Sequence, residues 1–155
     1  IIGYGRIGRR VAKLLRPFGV ALAYTDPFVA VRTKHIKKLP LTKLLSWADI
    51  ICIHASSKTT ILSPELLRKM KKGAWLINVS RGKSVDENAL YDLLQRGYLA
   101  GAAIDVFEQE PYQGKLATLH NVVVTPHIGT YAKESRAQME HEAALNLIQG
   151  LEELT

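Results

Sequence analysis

The chain begins Ile1-Ile2-Gly3-Tyr4-Gly5-Arg6-Ile7-Gly8, and the interpretation of every later segment depends on this stretch. Its glycines have the spacing G-x-G-x-x-G, which is typical of a turn from a strand into a helix that binds the pyrophosphate of a dinucleotide. We expect Gly3 to make the tight turn, Gly5 to let the phosphates approach the backbone, and Gly8 to let the helix lie close to the sheet. The first turn of that helix, at Arg6 and Ile7, would offer unpaired N–H groups to the phosphates.

The segment after the glycines agrees with this interpretation. Apolar residues recur at helical spacing and predict one amphipathic helix, with a stripe of Ile7, Val11, Leu14, Leu15 and Phe18. Residues 20–24 predict the second strand, and Asp26 follows it, eighteen residues after Gly8. An acidic residue here can accept both ribose hydroxyls of NAD and repels the 2′-phosphate of NADP. Asp26-Pro27 alone would also fit a simple turn, but the order of glycines, helix, strand and acid favours an NAD site.

The remaining sequence alternates between strand and helix patterns. Predicted strands span residues 50–54, 74–79, 100–104 and 121–124, with a possible short edge strand at 35–39. Four predicted helices have candidate N-caps at Thr42, Ser63, Ser84 and Thr130. The third of these helices would end at Gly97. The last has an apolar stripe of Met139, Ala143, Leu147, Leu151 and Leu154. This alternation predicts one α/β domain, residues 1–155, with a doubly wound parallel sheet of Rossmann type and helices on both faces.

The composition predicts a soluble globular protein. The chain has 155 residues, 47% of them hydrophobic, and a mean hydropathy near zero. No apolar run approaches the roughly 20 residues that span a bilayer, so we expect no membrane segment. The single cysteine, Cys52, lies in a predicted strand, where a buried inert thiol is expected and no disulfide is available. This use of cysteine favours the cytoplasm.

The net charge of +7 raises the question of nucleic acid. The basic residues are dispersed along the chain and no nucleic-acid motif or aromatic interleaving accompanies them, so we expect no nucleic-acid partner. The positive charge would instead help to attract an anionic cofactor and substrate. No His and Cys cluster has the spacing of a metal site. No serine lies in a nucleophile elbow, which argues against a hydrolase.

Three residues able to support catalysis follow the ends of predicted strands. Arg81 lies two residues past the 74–79 strand, Glu110 six past the 100–104 strand, and His127 three past the 121–124 strand. In a parallel sheet these ends lie on one edge, outside which ligands bind. An arginine can hold a carboxylate with two hydrogen bonds, and a histidine oriented by a carboxylate can transfer a proton. Each residue alone would more often be an ordinary loop residue; their shared edge favours an active site.

Four ordered motifs then resemble a known family over essentially the whole chain. They are residues 3–8, residues 78–82 with Val85-Asp86-Glu87, residues 101–107 through Glu110-Pro111, and Thr125-Pro126-His127-Ile128-Gly129. Together they resemble the NAD-binding domain of the D-isomer-specific 2-hydroxyacid dehydrogenases. The resemblance implies that Arg81 binds the substrate carboxylate and carbonyl, that His127 is the acid/base, and that Glu110 pairs with it. It also implies that Asp105 faces the nicotinamide carboxamide and Asp26 the adenosine ribose.

The resemblance extends to further cofactor contacts and to the parts of the protein outside this chain. We expect His54, Ala55, Ser80 and Gly129 to line the cofactor site. Only two residues precede the glycine turn, so we expect a chain cut in its first strand, without the family's separate substrate domain. The family usually forms homodimers through this domain.

Two departures from the family pattern and two alternative functions remain. Ser56 stands where the family often has proline, and Thr130-Tyr131-Ala132 replaces a pattern of small residues and threonine in a way similar to phosphoglycerate-dehydrogenase-like members.

The first alternative is an NAD(H)-sensing regulator, because the family also resembles transcriptional corepressors. The second is an unrelated dinucleotide-binding protein.

Overall fold

The computed structural model describes residues 1–30, 35–57 and 59–153. The helices are α1 (Arg6–Leu15), α2 (Leu41–Trp47), α3 (Pro64–Leu67), α4 (Glu87–Gln95) and α5 (Lys133–Glu152), with short 3₁₀ turns at Arg16–Phe18, Gly82–Ser84 and Lys115–Thr118. The strands are β1 (Ala23–Tyr24), β2 (Lys37–Lys38), β3 (Ile50–Ile53), β4 (Trp75–Asn78), β5 (Gly101–Ile104) and β6 (Val122–Val124).

Every strand pairing in the described ranges is parallel. β3, β4, β5 and β6 are neighbours in that order, and β1 pairs with β2. Ile2 joins the two sets, because it bridges to Thr25 on one side and to Ile53 on the other. Its N–H donates to the carbonyl of Cys52 at 2.8 Å, and its carbonyl accepts from His54 at 2.7 Å. The sheet order is therefore β2-β1-Ile2-β3-β4-β5-β6, which confirms the predicted α/β fold of Rossmann type.

The core lies on both faces of this sheet because successive residues of a strand point to opposite sides. Ile2 and Ala23 face the larger core cluster, which the apolar sides of α2, α3 and α4 cover. Ile1 and Tyr24 face a smaller cluster that contains Ala12 of α1. Helices thus pack on both faces, as predicted. Burying each large apolar side chain contributes about 1.5–3 kcal/mol, so the larger cluster dominates the stability of the domain.

The N-terminus of α4 differs from the prediction. Asp86, not Ser84, is the N-cap, and its carboxylate accepts from the N–H of Ala89 at 2.8 Å. Ser84 is fully buried in the preceding 3₁₀ turn, and its hydroxyl has no hydrogen-bond partner among the described residues. A 3₁₀ turn between the strand end and the helix displaces the cap by two residues. Gly97 has a φ of +66° and ends the helix region as predicted.

Two of the other predicted caps are also wrong, and one is confirmed. The N-cap of α2 is Pro40, so Thr42 lies inside the helix. The N-cap of α5 is Ala132, two residues after Thr130, and its side chain makes no capping hydrogen bond. Ser63 does cap α3 as predicted. The backbone of Pro40 is still extended, with a ψ of 146°, and the helix begins at the next residue, Leu41.

The apolar stripes of α1 and α5 are largely exposed. On α1 the buried residues are Gly8 and Ala12, while Ile7 and Leu14 are 63% and 60% exposed. Phe18, which ends the 3₁₀ turn after α1, is 77% exposed. α5 has no buried residue, and the predicted stripe of Met139, Ala143, Leu147 and Leu151 lies in solvent, while Leu154 is outside the described residues. Periodicity identifies the apolar side of a helix but not whether the same chain covers it. Of the helices described, none is both long and apolar enough to cross a membrane.

Candidate active site

The glycine turn has the geometry that its spacing predicts. Gly3 has a φ of +88°, and a Cβ added to it would lie 2.5 Å from the N atom of Ala55. A Cβ on Gly8 would lie 2.2 Å from the carbonyl oxygen of Gly3, so only glycine lets α1 lie this close to the turn. A Cβ on Gly5 would meet no atom within 4 Å, because this residue faces open space. The turn is therefore packed at Gly3 and Gly8 and open at Gly5, where a phosphate would approach.

A cavity of about 870 Å³ opens beside this turn. Its walls include Gly3, Gly5, Asp26, His54 and Ala55, and most of its lining is apolar. The Nε2 atom of His54 is buried without a hydrogen-bond partner in the described part of the chain, and burial lowers the pKa of this imidazole. We refer to this space as the glycine-turn cavity. An open glycine, an acidic residue and apolar walls fit the phosphate, ribose and base of a dinucleotide.

Asp26 connects the glycine turn to the loop after β1. The N–H of Tyr4 donates to its Oδ2 at 2.7 Å. The N–H groups of Phe28 and Val29 donate to its Oδ1 at 2.8 and 3.0 Å. Burial acts to raise the pKa of this carboxyl, but the three N–H donors outweigh it and, with the nearby charge of Lys38, hold the pKa below its usual value. Asp26 is therefore a fixed anion at the edge of the cavity, and its contact with a ribose stays a prediction.

The loop that carries Arg81 is held by a residue that the sequence analysis did not select. Asn78, at the end of β4, is only 1% exposed. Its Nδ2 donates to the carbonyl of Arg81 at 3.0 Å, and its Oδ1 accepts from the N–H and the hydroxyl of Ser80 at 3.1 and 3.0 Å. The hydroxyl of Ser80 is thus directed into the protein. The guanidinium of Arg81 is exposed and donates once to the carbonyl of Ser80, at 2.6 Å.

Gly82 brings this loop against the segment that leads to Glu110. A Cβ on Gly82 would lie 1.9 Å from the carbonyl carbon of Phe107 and 2.3 Å from the N atom of Glu108. The two backbones therefore touch at a point where any side chain would collide. The glycine directly after Arg81 is the sequence signal that could have identified this contact. It places the loop of Arg81 beside the loop of Glu110.

Glu110 and His127 form the predicted pair. The Nδ1 atom of His127 and the Oε2 atom of Glu110 lie 2.9 Å apart, and the N–H of Phe107 donates to the other carboxylate oxygen at 3.0 Å. The peptide bond between Glu110 and Pro111 is cis. His127 has a φ of +55°, rare for a residue with a side chain. Such a backbone conformation persists only where the surroundings hold it.

Asp105 holds that strained segment in place. Its Oδ1 accepts from the hydroxyl of Thr125 at 2.5 Å and from the N–H of Ile128 at 3.0 Å. Its Oδ2 accepts from the N–H of Gly129 at 3.2 Å. Burial acts to raise the pKa of Asp105, but these donors outweigh it and keep the pKa below its usual value. Asp105 therefore holds the side chain of Thr125 before His127 and the backbone of Ile128 and Gly129 after it, a role that the sequence analysis missed. Its contact with a carboxamide stays a prediction.

A second cavity, of about 440 Å³, adjoins the pair. Glu110, His127, Pro126 and Tyr131 line it. It lies outside the carboxyl ends of β5 and β6, as the glycine-turn cavity lies outside those of β1 and β3. The glycine turn, Asp26, Glu110 and His127 therefore lie at one edge of the sheet. Arg81 follows the carboxyl end of β4 at the same edge but lines neither cavity. Among the described residues, no group of three or more His, Cys, Asp or Glu side chains could hold a metal ion.

Residues 1–129 match the family model described as D-isomer specific 2-hydroxyacid dehydrogenase, NAD binding domain. The chain belongs to this family. A glyoxylate reductase of Korarchaeum cryptofilum is 40% identical over 159 residues, covering 96% of this chain and 47% of that protein. The D-3-phosphoglycerate dehydrogenase of Bacillus subtilis is 39% identical over 156 residues, covering 96% of this chain and 30% of that protein. The structure of D-lactate dehydrogenase from Aquifex aeolicus, complexed with NAD and lactic acid, superposes with a TM-score of 0.85 at 31% identity, covering 97% of this chain and 52% of that one.

The family inferred from the four motifs is therefore confirmed, and with it NAD as the cofactor of this domain. The chain spans about half the length of the glyoxylate reductases that it matches.

Proposed function

We propose that the complete protein is an NAD-dependent D-2-hydroxyacid dehydrogenase that interconverts a small 2-keto acid and the corresponding D-2-hydroxy acid. The observation that carries the proposal is the contact of 2.9 Å between Nδ1 of His127 and Oε2 of Glu110, at the same edge of the sheet as the glycine turn. Relatives named as glyoxylate reductases and D-3-phosphoglycerate dehydrogenases support it. A strained histidine held by a carboxylate favours an enzyme over a nucleotide-binding domain without catalysis.

His127 is the proposed acid/base. Since Nδ1 donates to Glu110, Nε2 is the nitrogen left to exchange a proton with the oxygen of the substrate. The N–H of Phe107 and the hydrogen bond from His127 lower the pKa of Glu110, so this carboxylate stays ionised at neutral pH. A neighbouring carboxylate fixes the orientation of the imidazole ring and the nitrogen that carries its proton. In the reducing direction, His127 thus delivers a proton to the carbonyl oxygen.

Arg81 is the proposed substrate anchor. A guanidinium can bind a carboxylate through two parallel N–H donors, which gives both affinity and orientation. One Nη1–H of Arg81 is used by the carbonyl of Ser80, and a guanidinium has five N–H donors, so others are left for a substrate carboxylate. Bound NADH supplies the hydride that this chemistry requires. The residues of this chain hold the substrate, orient it and move the proton.

The test is NADH oxidation by the full-length protein with a panel of 2-keto acids of increasing size. The proposal predicts turnover with at least one member and none with the corresponding aldehydes that lack a carboxylate, because Arg81 requires an anion. NADH binding without any turnover across the panel would contradict it. That outcome would favour the NAD(H)-sensing regulator, which uses the same glycine turn but does not need Arg81.

Three further features of the complete protein belong to the proposal. A homodimer formed through this domain is supported by the exposed apolar residues Leu14 on α1 and Phe18 in the 3₁₀ turn that follows it, and sedimentation equilibrium would test it. A cytoplasmic location is supported by the single cysteine. Neither a nucleic acid nor a membrane is a proposed partner, since the basic residues are dispersed.

A further inference from the structure

Lys38 lies at the ribose edge of the glycine-turn cavity. β2 pairs with β1 so that Lys38 is opposite Tyr24, two residues before Asp26. The side chain of Lys38 lines the cavity. Its Nζ atom donates to the carbonyl of Val29 at 2.8 Å, and the N–H of Val29 donates to Asp26 at 3.0 Å. The ammonium group is therefore held close to the carboxylate.

The acceptor capacity of Asp26 is largely used inside the protein. Oδ1 accepts the N–H groups of Phe28 and Val29, and Oδ2 accepts the N–H of Tyr4. An ionised carboxylate offers about four acceptor positions, so about one remains for a nucleotide. Three N–H dipoles and one ammonium also offset the negative charge that would repel a 2′-phosphate. The acidic residue alone therefore does not decide between the two nicotinamide cofactors.

We propose that Lys38 is a specificity-determining residue that lets this site bind the 2′-phosphate of NADP(H) beside Asp26. An ammonium group has three N–H donors. One of those of Lys38 is used by Val29, which leaves two for a phosphate. The cofactor specificity that Asp26 predicts, NAD with rejection of NADP, is thereby relaxed. This inference rests on the proposed use of a nicotinamide cofactor by the complete protein.

Lys37 provides a matched control in the next position of the same strand. It is also a lysine and also exposed, but it pairs with Ala23 and is absent from the cavity lining. Successive residues of a strand point to opposite sides. Lys37→Met and Lys38→Met therefore each remove one positive charge from β2, but from opposite faces of the strand. Any effect of overall charge on an anionic cofactor should be equal in the two variants.

The experiment measures the dissociation constants of NADH and NADPH for the full-length protein by fluorescence titration. We expect the unmodified protein to bind NADPH within about tenfold of NADH. Lys38→Met should weaken NADPH binding by about tenfold or more, because a charge-assisted hydrogen bond is lost, and should change NADH binding by less than about threefold. Lys37→Met should leave the ratio of the two constants unchanged. The NADPH affinity of the unmodified protein should also fall more steeply with salt than that of Lys38→Met.

Two results would overturn the proposal. One is a protein that binds NADH but shows no NADPH binding, and the other is an equal change of the ratio in the two lysine variants. A protein that binds neither cofactor would refute the proposed function itself, and the inference with it. Retained NADH binding by Lys38→Met shows that this variant is folded.

Discussion

Gly82→Ala tests whether the contact between two loops assembles the active site. A Cβ at this position would lie 1.9 Å from the carbonyl carbon of Phe107, 2.1 Å from its oxygen and 2.3 Å from the N atom of Glu108. An ordinary contact to a Cβ begins at 3.4 Å, so the carbonyl carbon is short by 1.5 Å (3.4 minus 1.9). Every atom in this contact belongs to the backbone, and no side chain can rotate away. One loop must move by about this distance.

The size of this displacement sets the expected effect. Overpacking of a buried site costs about 1–3 kcal/mol, which we expect in the free energy of unfolding. Moving a catalytic group by about 1 Å can reduce the rate about 10²-fold. Because Gly82 follows Arg81 directly, the substrate anchor would move relative to His127. We therefore expect kcat/KM for a 2-keto acid to fall by about 10²-fold or more, with a smaller change in NADH affinity.

The assay combines steady-state kinetics with urea unfolding of the full-length protein. Gly150→Ala is the control, because a Cβ there meets no atom within 4 Å and the residue lies within α5. Alanine in a helix is favoured over glycine by about 1 kcal/mol, so the control should be at least as stable as the unmodified protein and equally active. A Gly82→Ala protein with unchanged kcat/KM and unchanged stability would refute the reasoning.

Three further predictions concern carboxylates with different tasks. Asp86→Ala removes the N-cap of α4 and should lower the free energy of unfolding by about 1 kcal/mol without changing kcat; an unchanged urea midpoint would contradict the capping role. Asp105 has a lowered pKa in the folded protein, so its stabilisation is present above its ordinary pKa of 3.8 and is lost as the pH falls through the lower folded value. Asp105→Asn should therefore be less stable by about 1–3 kcal/mol near neutral pH, and the difference in urea midpoint should narrow as the pH falls below 3.8; a difference independent of pH would contradict it. Glu110→Gln keeps the shape but not the charge beside His127, and kcat should fall by about 10²-fold or more, with little change in Tm.

The location of the site at the carboxyl ends of the strands could be predicted from the sequence, because it follows from the topology of a parallel sheet. Once strands alternate with helices, a parallel sheet places all the strand ends together, so Arg81, Glu110 and His127 could be assigned to one edge without knowing any distance. The roles of Gly3 and Gly8 were equally accessible, since they depend on spacing along a local turn.

Contacts between distant segments could not be predicted in the same way. Asp105 is predicted from the resemblance to face a cofactor, and its carboxylate also accepts hydrogen bonds from Thr125, Ile128 and Gly129, which lie 20 to 24 residues away in the sequence. No local pattern encodes contacts of this range. The cap at Ser84 was wrong because an intervening 3₁₀ turn moves the helix start to Asp86. Helical periodicity identifies the apolar residues of α1 but does not predict that several of them are exposed. Whether such residues are buried depends on the surface that packs against them.

The most direct test of the central claim is the turnover of His127→Ala in the full-length protein with its best 2-keto acid. If His127 transfers the proton, kcat should fall by about 10²- to 10⁴-fold. The dissociation constant of NADH should change by less than about threefold, since the imidazole pairs with Glu110 and not with the glycine turn. Turnover equal to that of the unmodified protein would contradict the assignment of His127 as the acid/base.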